Sequence, residues 1–278
     1  IITASALINE DKFNLNDNND YEEATYKKVN LYSINNVRKN TNLAFGDVFD
    51  EFHNAKNMKL AEKLEKKRLY EYIKAYGFGE KSGIDMMETV GHIKSPSDWA
   101  TYSADSISFG QEVSVTALQM LSAINVIAND GIMMKPFVVK KITNGDEIVK
   151  EVTPCEFRNP ISANTAKFMK QALVKVVENG TEKVAKMDFY SVAGKAGTSQ
   201  KMSEDGTSYI SGKYVSSFVG FLPADDPIIS IIVIIDEPKG EYRGEKVACP
   251  VFKNIADQVM QYFAVGQGIC IANLKPTS

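Results

Sequence analysis

The chain has 278 residues, enough to bury a sizeable core in one large domain or two small ones, and its 44% hydrophobic and 24% charged residues are ordinary for a folded protein. A net charge of −3 leaves no global basic field to recruit nucleic acid or an anionic lipid surface. The cysteines Cys155, Cys249 and Cys270 form no C-x-x-C pair and only His53 and His92 could join them, so no metal site is expected, and no apolar run reaches the roughly 18 residues of a membrane helix.

In chain order, Ile1 to Leu7 reads as the interior of a buried helix ending at Asn9-Glu10-Asp11. With neither cap nor initiator Met, that helix is expected to begin upstream. Residues 14–42, rich in Asn, Asp and Lys, predict loops and short strands. From Phe45 to Tyr76 apolar residues recur at helical spacing, among them Val48, Phe52, Leu60, Leu64, Leu69 and Ile73, until Gly77-Phe78-Gly79 stops the helix. Gly, Pro and Ser punctuate 80–110 as a long surface excursion. Ser114 or Thr116 caps a buried helix to about Asn129. Ile132 to Ile142 then reads as a strand, and Asn144-Gly145-Asp146 as a hairpin turn into Glu147 to Val152. Ser162 caps a helix to about Glu178.

Strands at 191–198, 214–222 and 228–236 follow, and a closing helix at 250–264 places Pro250 in its first turn. Hairpin-linked strands with helices gathered before and after predict an α+β fold with a central antiparallel β-sheet flanked by helices. An all-helical subregion falls at about 43–130 and sheet strands at about 132–152 and 191–236. A single domain over 1–265 and a C-terminal tail over 266–278 complete the expected organisation.

The stretch Val192-Ala193-Gly194-Lys195-Ala196-Gly197-Thr198-Ser199-Gln200 concentrates the chemistry. Extended geometry sends Lys195 and Gly197 to one face and Ala196 and Thr198 to the other. Glycine admits another backbone at close range, and a cation beside it can hold a carboxylate. An edge strand with a solvated lysine fits the same letters.

This stretch resembles the lysine-threonine-glycine-threonine strand of penicillin-binding proteins. Gly212 to Asp225 and Ile234 to Gly240 resemble the strands that follow it in class B members, and Val247 to Phe252 resembles the start of their closing helix. Upstream, Ser108 to Gln119 and Tyr76-Gly77-Phe78-Gly79 with Lys81 to Asp85 resemble further family landmarks. The blocks run in order over most of 45–265, so the chain is similar to a class B transpeptidase domain, and a penicillin-binding, β-lactamase-like fold is implied.

The resemblance also implies a serine-type D,D-transpeptidase that crosslinks peptidoglycan, takes stem peptides and β-lactams, and needs neither metal nor organic cofactor. It implies the extracytoplasmic face of the bacterial cytoplasmic membrane, with an anchor outside these residues, and membrane proteins of wall synthesis or division as partners. Lys195 and Thr198 would bind the substrate's terminal carboxylate, with Gly197 and Ala196 beside them on the strand.

Three departures stand out. No serine here has a lysine three positions on. The Ser-x-x-Lys turn that activates the family's nucleophile, with both groups on one helical face, is therefore expected just before Ile1 or nowhere. The family's Ser-x-Asn slot holds Phe52-His53-Asn54, in which Asn54 can orient a substrate amide or a lysine but Phe52 cannot relay a proton; Phe52 also fits as a core aromatic. Ala196 stands where the family has threonine or serine. Ser33-Ile34-Asn35, Ser162-Ala163-Asn164 and Lys81-Ser82-Gly83 match motif letters by chance. Two alternatives follow: a catalytically inactive scaffold or regulatory partner in wall synthesis, and a β-lactam sensor or class D β-lactamase-like domain. The 278 residues alone are expected to be inactive.

Overall fold

The computed structural model describes residues 1–12, 62–203 and 208–266. The readings for 14–42, for the helical spacing before residue 62 and for the tail beyond Gly266 lie outside them, as do Phe52, His53 and Asn54. The described residues form two compact units that divide at Met169/Lys170, inside one helix.

In the first unit, helix α1 (Ile2–Asn9) packs on α2 (Lys66–Ala75). Leu7, Leu69 and Tyr76 are fully buried, and the Tyr76 hydroxyl donates to Ser5 Oγ at 2.8 Å. The described part of α2 starts only at Lys66, because Glu65 is extended (ψ 142°) and Leu64 lies buried ahead of it. The excursion at 80–110 is more structured than its punctuation suggests. Strand β1 (His92–Ile93) pairs with β2 (Val113–Ser114), and between them α3 (Ser103–Ser108) buries four residues. Serines favour caps and turns over helix interiors. Here the Ser103 and Ser106 hydroxyls both donate to the Glu112 carboxylate, which ties the helix to the following turn.

Helix α4 (Ala117–Ala128) begins in a capping box: Thr116 Oγ1 accepts from the Gln119 N–H and the Gln119 side chain accepts from the Thr116 N–H. The single strand expected from Ile132 to Ile142 is instead two short ones, β3 (Met133–Met134) and β4 (Lys141–Asn144). Between them the Val138 and Val139 N–H groups donate to the two oxygens of Asp85, each at 2.8 Å, and so are withdrawn from any ladder. β4 forms the expected hairpin with β5 (Glu147–Glu151), Gly145 taking φ +59° in the turn, and β6 (Glu156–Arg158) pairs back to β3. Ser162 caps α5 (Ala163–Glu178) through the Thr165 N–H, which accounts for its Ser-x-Asn letters.

The second unit is built on β7 (Ala193–Met202), β8 (Tyr209–Leu222) and β9 (Ile229–Asp236), antiparallel in the order β7-β8-β9. One face is covered by α6 (Gly244–Gly266), with Ala196, Phe218 and Val233 packed against Ala248, Cys249, Phe252 and Ala256. Phe218 and Phe252 meet edge to face at 4.6 Å. The Phe218 ring lies so close to Gly194 that a Cβ there would sit 2.4 Å from it, so the glycine is a packing requirement. Helix α6 begins six residues before Pro250, which is therefore interior and not in the first turn. Pro250 cannot donate to the Lys246 carbonyl, yet the helix continues because its apolar face is anchored on the sheet on both sides of the proline.

Candidate active site

Strand β7 carries Lys195, Ala196, Gly197 and Thr198, and is an outer strand of its sheet among the described residues. Ala196 and Thr198 share the face toward α6, as the strand's period of two predicts. Ala196 is in the core under α6, and Thr198 Oγ1 accepts the Gly244 N–H at 2.9 Å, so the first residue of α6 is pinned to the strand. A Cβ on Gly197 would meet Ser217 Oγ at 2.7 Å, and one on Gly244 would meet the Gly197 carbonyl at 2.4 Å. Close backbone approach at Gly197 is thus real, and it serves α6 and β8. The Thr198 hydroxyl keeps its own proton for donation, because its oxygen acts as acceptor toward Gly244.

Lys195 is not a solvated lysine. Its side chain is 19% exposed and its ammonium donates to Glu182, a carboxylate with no exposure at all. The same Glu182 oxygen accepts the Ala196 N–H at 3.3 Å, and the other accepts the Thr181 hydroxyl at 2.6 Å. Glu182 lies between α5 and the 3₁₀ turn Lys183–Ala185, which packs on α6 with Ala185 fully buried. A buried charge is tolerable only with such partners, and removing either member of the pair costs about 3–5 kcal/mol. Cys249 lies close enough to feel both charges; burial, reinforced by Glu182, pushes its thiol up to about 12.

The structure places Lys195, Ala196, Gly197 and Thr198 on β7 and brings to them Glu182, Thr181 and Gly244, which the sequence did not single out. Glu182 follows a helix-stopping Asn-Gly and has no periodic neighbour, so nothing in the letters ties it to a lysine 13 residues on. Phe52 and Asn54 lie outside the described residues. Among the described residues no group of three or more His, Cys, Asp and Glu side chains is placed to share a metal ion, and no helix is long and apolar enough to cross a membrane.

A long C-terminal helix covering an antiparallel sheet, with lysine, glycine and threonine on an outer strand, defines an α+β domain of the penicillin-binding, β-lactamase-like kind. Comparison with known proteins agrees: the model of the penicillin binding protein transpeptidase domain matches residues 1–257. Stage V sporulation protein D of Bacillus subtilis is 34% identical over 263 residues, which span 92% of this chain and 40% of the relative. The probable peptidoglycan D,D-transpeptidase PenA of Neisseria flavescens is 30% identical over 236 residues, 84% of this chain and 54% of that protein. The structure of penicillin binding protein 3 from Mycobacterium tuberculosis complexed with aztreonam superposes with a TM-score of 0.83 at 25% identity, covering 95% of this chain and 61% of that one. The chain belongs to the penicillin-binding protein transpeptidase family, class B, and spans about half or less of the length of these two curated relatives.

Proposed function

We propose that this domain serves a D,D-transpeptidase that crosslinks peptidoglycan stem peptides on the extracytoplasmic face of the membrane. The observation that carries the reading is the outer strand β7, which carries Lys195, Gly197 and Thr198 within four consecutive residues. The named D,D-transpeptidase among the relatives supports the same chemistry. An activated serine attacks the penultimate D-alanine carbonyl, and its proton passes to a lysine amine one helical turn away. The amide C–N bond breaks, the terminal D-alanine leaves as its protonated amine, and an ester to the serine remains. The amine of a second stem peptide then displaces the serine oxygen, which recovers its proton.

Lys195 and Thr198 hold the terminal carboxylate, and a backbone N–H of β7 supplies half of the oxyanion hole. In this reading Asn54 is the residue assigned to orient the substrate amide, and Phe52, having no hydroxyl, relays no proton. These 278 residues contain no serine followed three positions later by lysine, so this reading assigns the nucleophile to a serine outside them.

A second reading, an inactive domain kept as a scaffold among wall-synthesis or division proteins, is favoured by the Glu182 partner of Lys195 and by the missing hydroxyl at Ala196. Covalent labelling with a fluorescent penicillin separates the two. The full-length protein is expected to label at a serine outside these residues, and the 278-residue chain is expected not to. No labelling of the full-length protein refutes the enzyme in favour of the scaffold, and labelling of the isolated chain refutes the placement of the nucleophile.

A further inference from the structure

We propose that Glu182 is a specificity-determining residue: its buried carboxylate holds Lys195 in an internal ion pair, so the subsite along Lys195–Thr198 accepts acyl peptides ending in a neutral carboxamide nearly as well as those ending in a free carboxylate. This rests on the reading of β7 as the strand that binds the substrate's terminal group, and it names the class of terminus that strand takes.

Both Glu182 oxygens are committed, one to the Lys195 ammonium and the Ala196 N–H (3.3 Å), the other to the Thr181 hydroxyl (2.6 Å). The carboxylate has no exposure, so water does not screen it, while Lys195 retains partial access to solvent. Its backbone leads into the 3₁₀ turn Lys183–Ala185, whose Ala185 is part of the core cluster with Ala196, Phe252 and Ala256. Glu182 cannot swing out and release Lys195 without unpacking that turn.

A cation in contact with a fixed anion presents a third group with a dipole instead of a full charge. A ligand carboxylate arriving at Lys195 is attracted by the ammonium and repelled by Glu182 behind it; a carboxamide meets neither force strongly. An ammonium without this counter-charge favours a carboxylate over an amide by on the order of 10–100-fold, the value of one charge-assisted hydrogen bond. With Glu182 in place that preference collapses. A carboxylate that merely satisfied a buried pocket would leave the preference intact.

The test titrates the isotope-labelled 278-residue chain with N-acetyl-D-alanyl-D-alanine and with its C-terminal carboxamide, following the backbone amides of Ala196, Gly197 and Thr198. The expected acid-to-amide affinity ratio is below about fivefold for the unmodified chain, and Glu182→Gln raises it above about tenfold. A ratio above about fivefold in the unmodified chain overturns the proposal without any variant. A Glu182→Gln chain that keeps a folded spectrum and an unchanged ratio overturns it too. If neither ligand shifts these amides in the unmodified chain, the terminal-group reading of β7 fails and takes this proposal with it; a shift with the wrong ratio defeats the proposal alone.

Discussion

Replacing Gly244 by alanine tests the seam between α6 and the sheet. The added Cβ would lie 2.4 Å from the Gly197 carbonyl oxygen and 2.6 Å from that of Ser217, whereas ordinary contact begins near 3.4 Å. About 1 Å of separation must therefore be created at two points. Neither obstacle is a side chain that can rotate away: Gly197 and Ser217 are paired residues of β7 and β8. The helix must lift, and with it the Gly244 N–H that donates to Thr198. Overpacking costs about 1–3 kcal/mol, and a backbone-to-backbone clash belongs at the top of that range. For a chain of this size about 3 kcal/mol lowers the melting temperature by roughly 6–12 °C. The assay is thermal unfolding followed by circular dichroism, with Gly212→Ala as control. Gly212 has φ +75° but nothing within 4 Å of its would-be Cβ, so alanine there bears only the left-handed backbone cost of about 1–2 kcal/mol. A Gly244→Ala chain that melts as high as the Gly212→Ala chain would refute the claim that α6 is seated on bare backbone.

The remaining predictions concern titration. Cys249, buried and raised to about 12, is expected to resist iodoacetamide at pH 8 in the native chain, while the exposed Cys155 alkylates; peptide mass mapping reads both, and native alkylation of Cys249 would contradict its burial. The Glu10 carboxyl is held below its usual range, chiefly by its hydrogen bond from Arg68 and then by that from Tyr72. A depressed carboxyl contributes stability that is complete above its ordinary titration range and fades as pH falls to the folded value. The melting difference between the native chain and Arg68→Ala should therefore be larger at pH 7 than at pH 3, and a difference that grew on acidification would overturn the assignment.

The elements legible in the sequence were those whose signals are local. A capping hydroxyl at Ser114 or Thr116 ahead of an apolar stretch announces α4, and the strand-length segments 214–222 and 228–236 announce β8 and β9. The lysine, glycine and threonine of β7 stood out through their resemblance to a family motif, since the letters alone fit an edge strand with a solvated lysine. Where the sequence misled, a distant group had taken over a local one. Asp85 captured the amides of Val138 and Val139 and so broke an expected strand, and Glu112 gathered two serines into a helix that propensity disfavours.

Periodicity and motif order determined the class of fold, because both follow from spacing along the chain. Only the tertiary structure decided that Lys195 is an ion pair and that α6 starts at Gly244, seated on Thr198. The reason is that an electrostatic partner or a close backbone contact is set by distance in space, and 13 residues separate Glu182 from Lys195 and 46 separate Thr198 from Gly244.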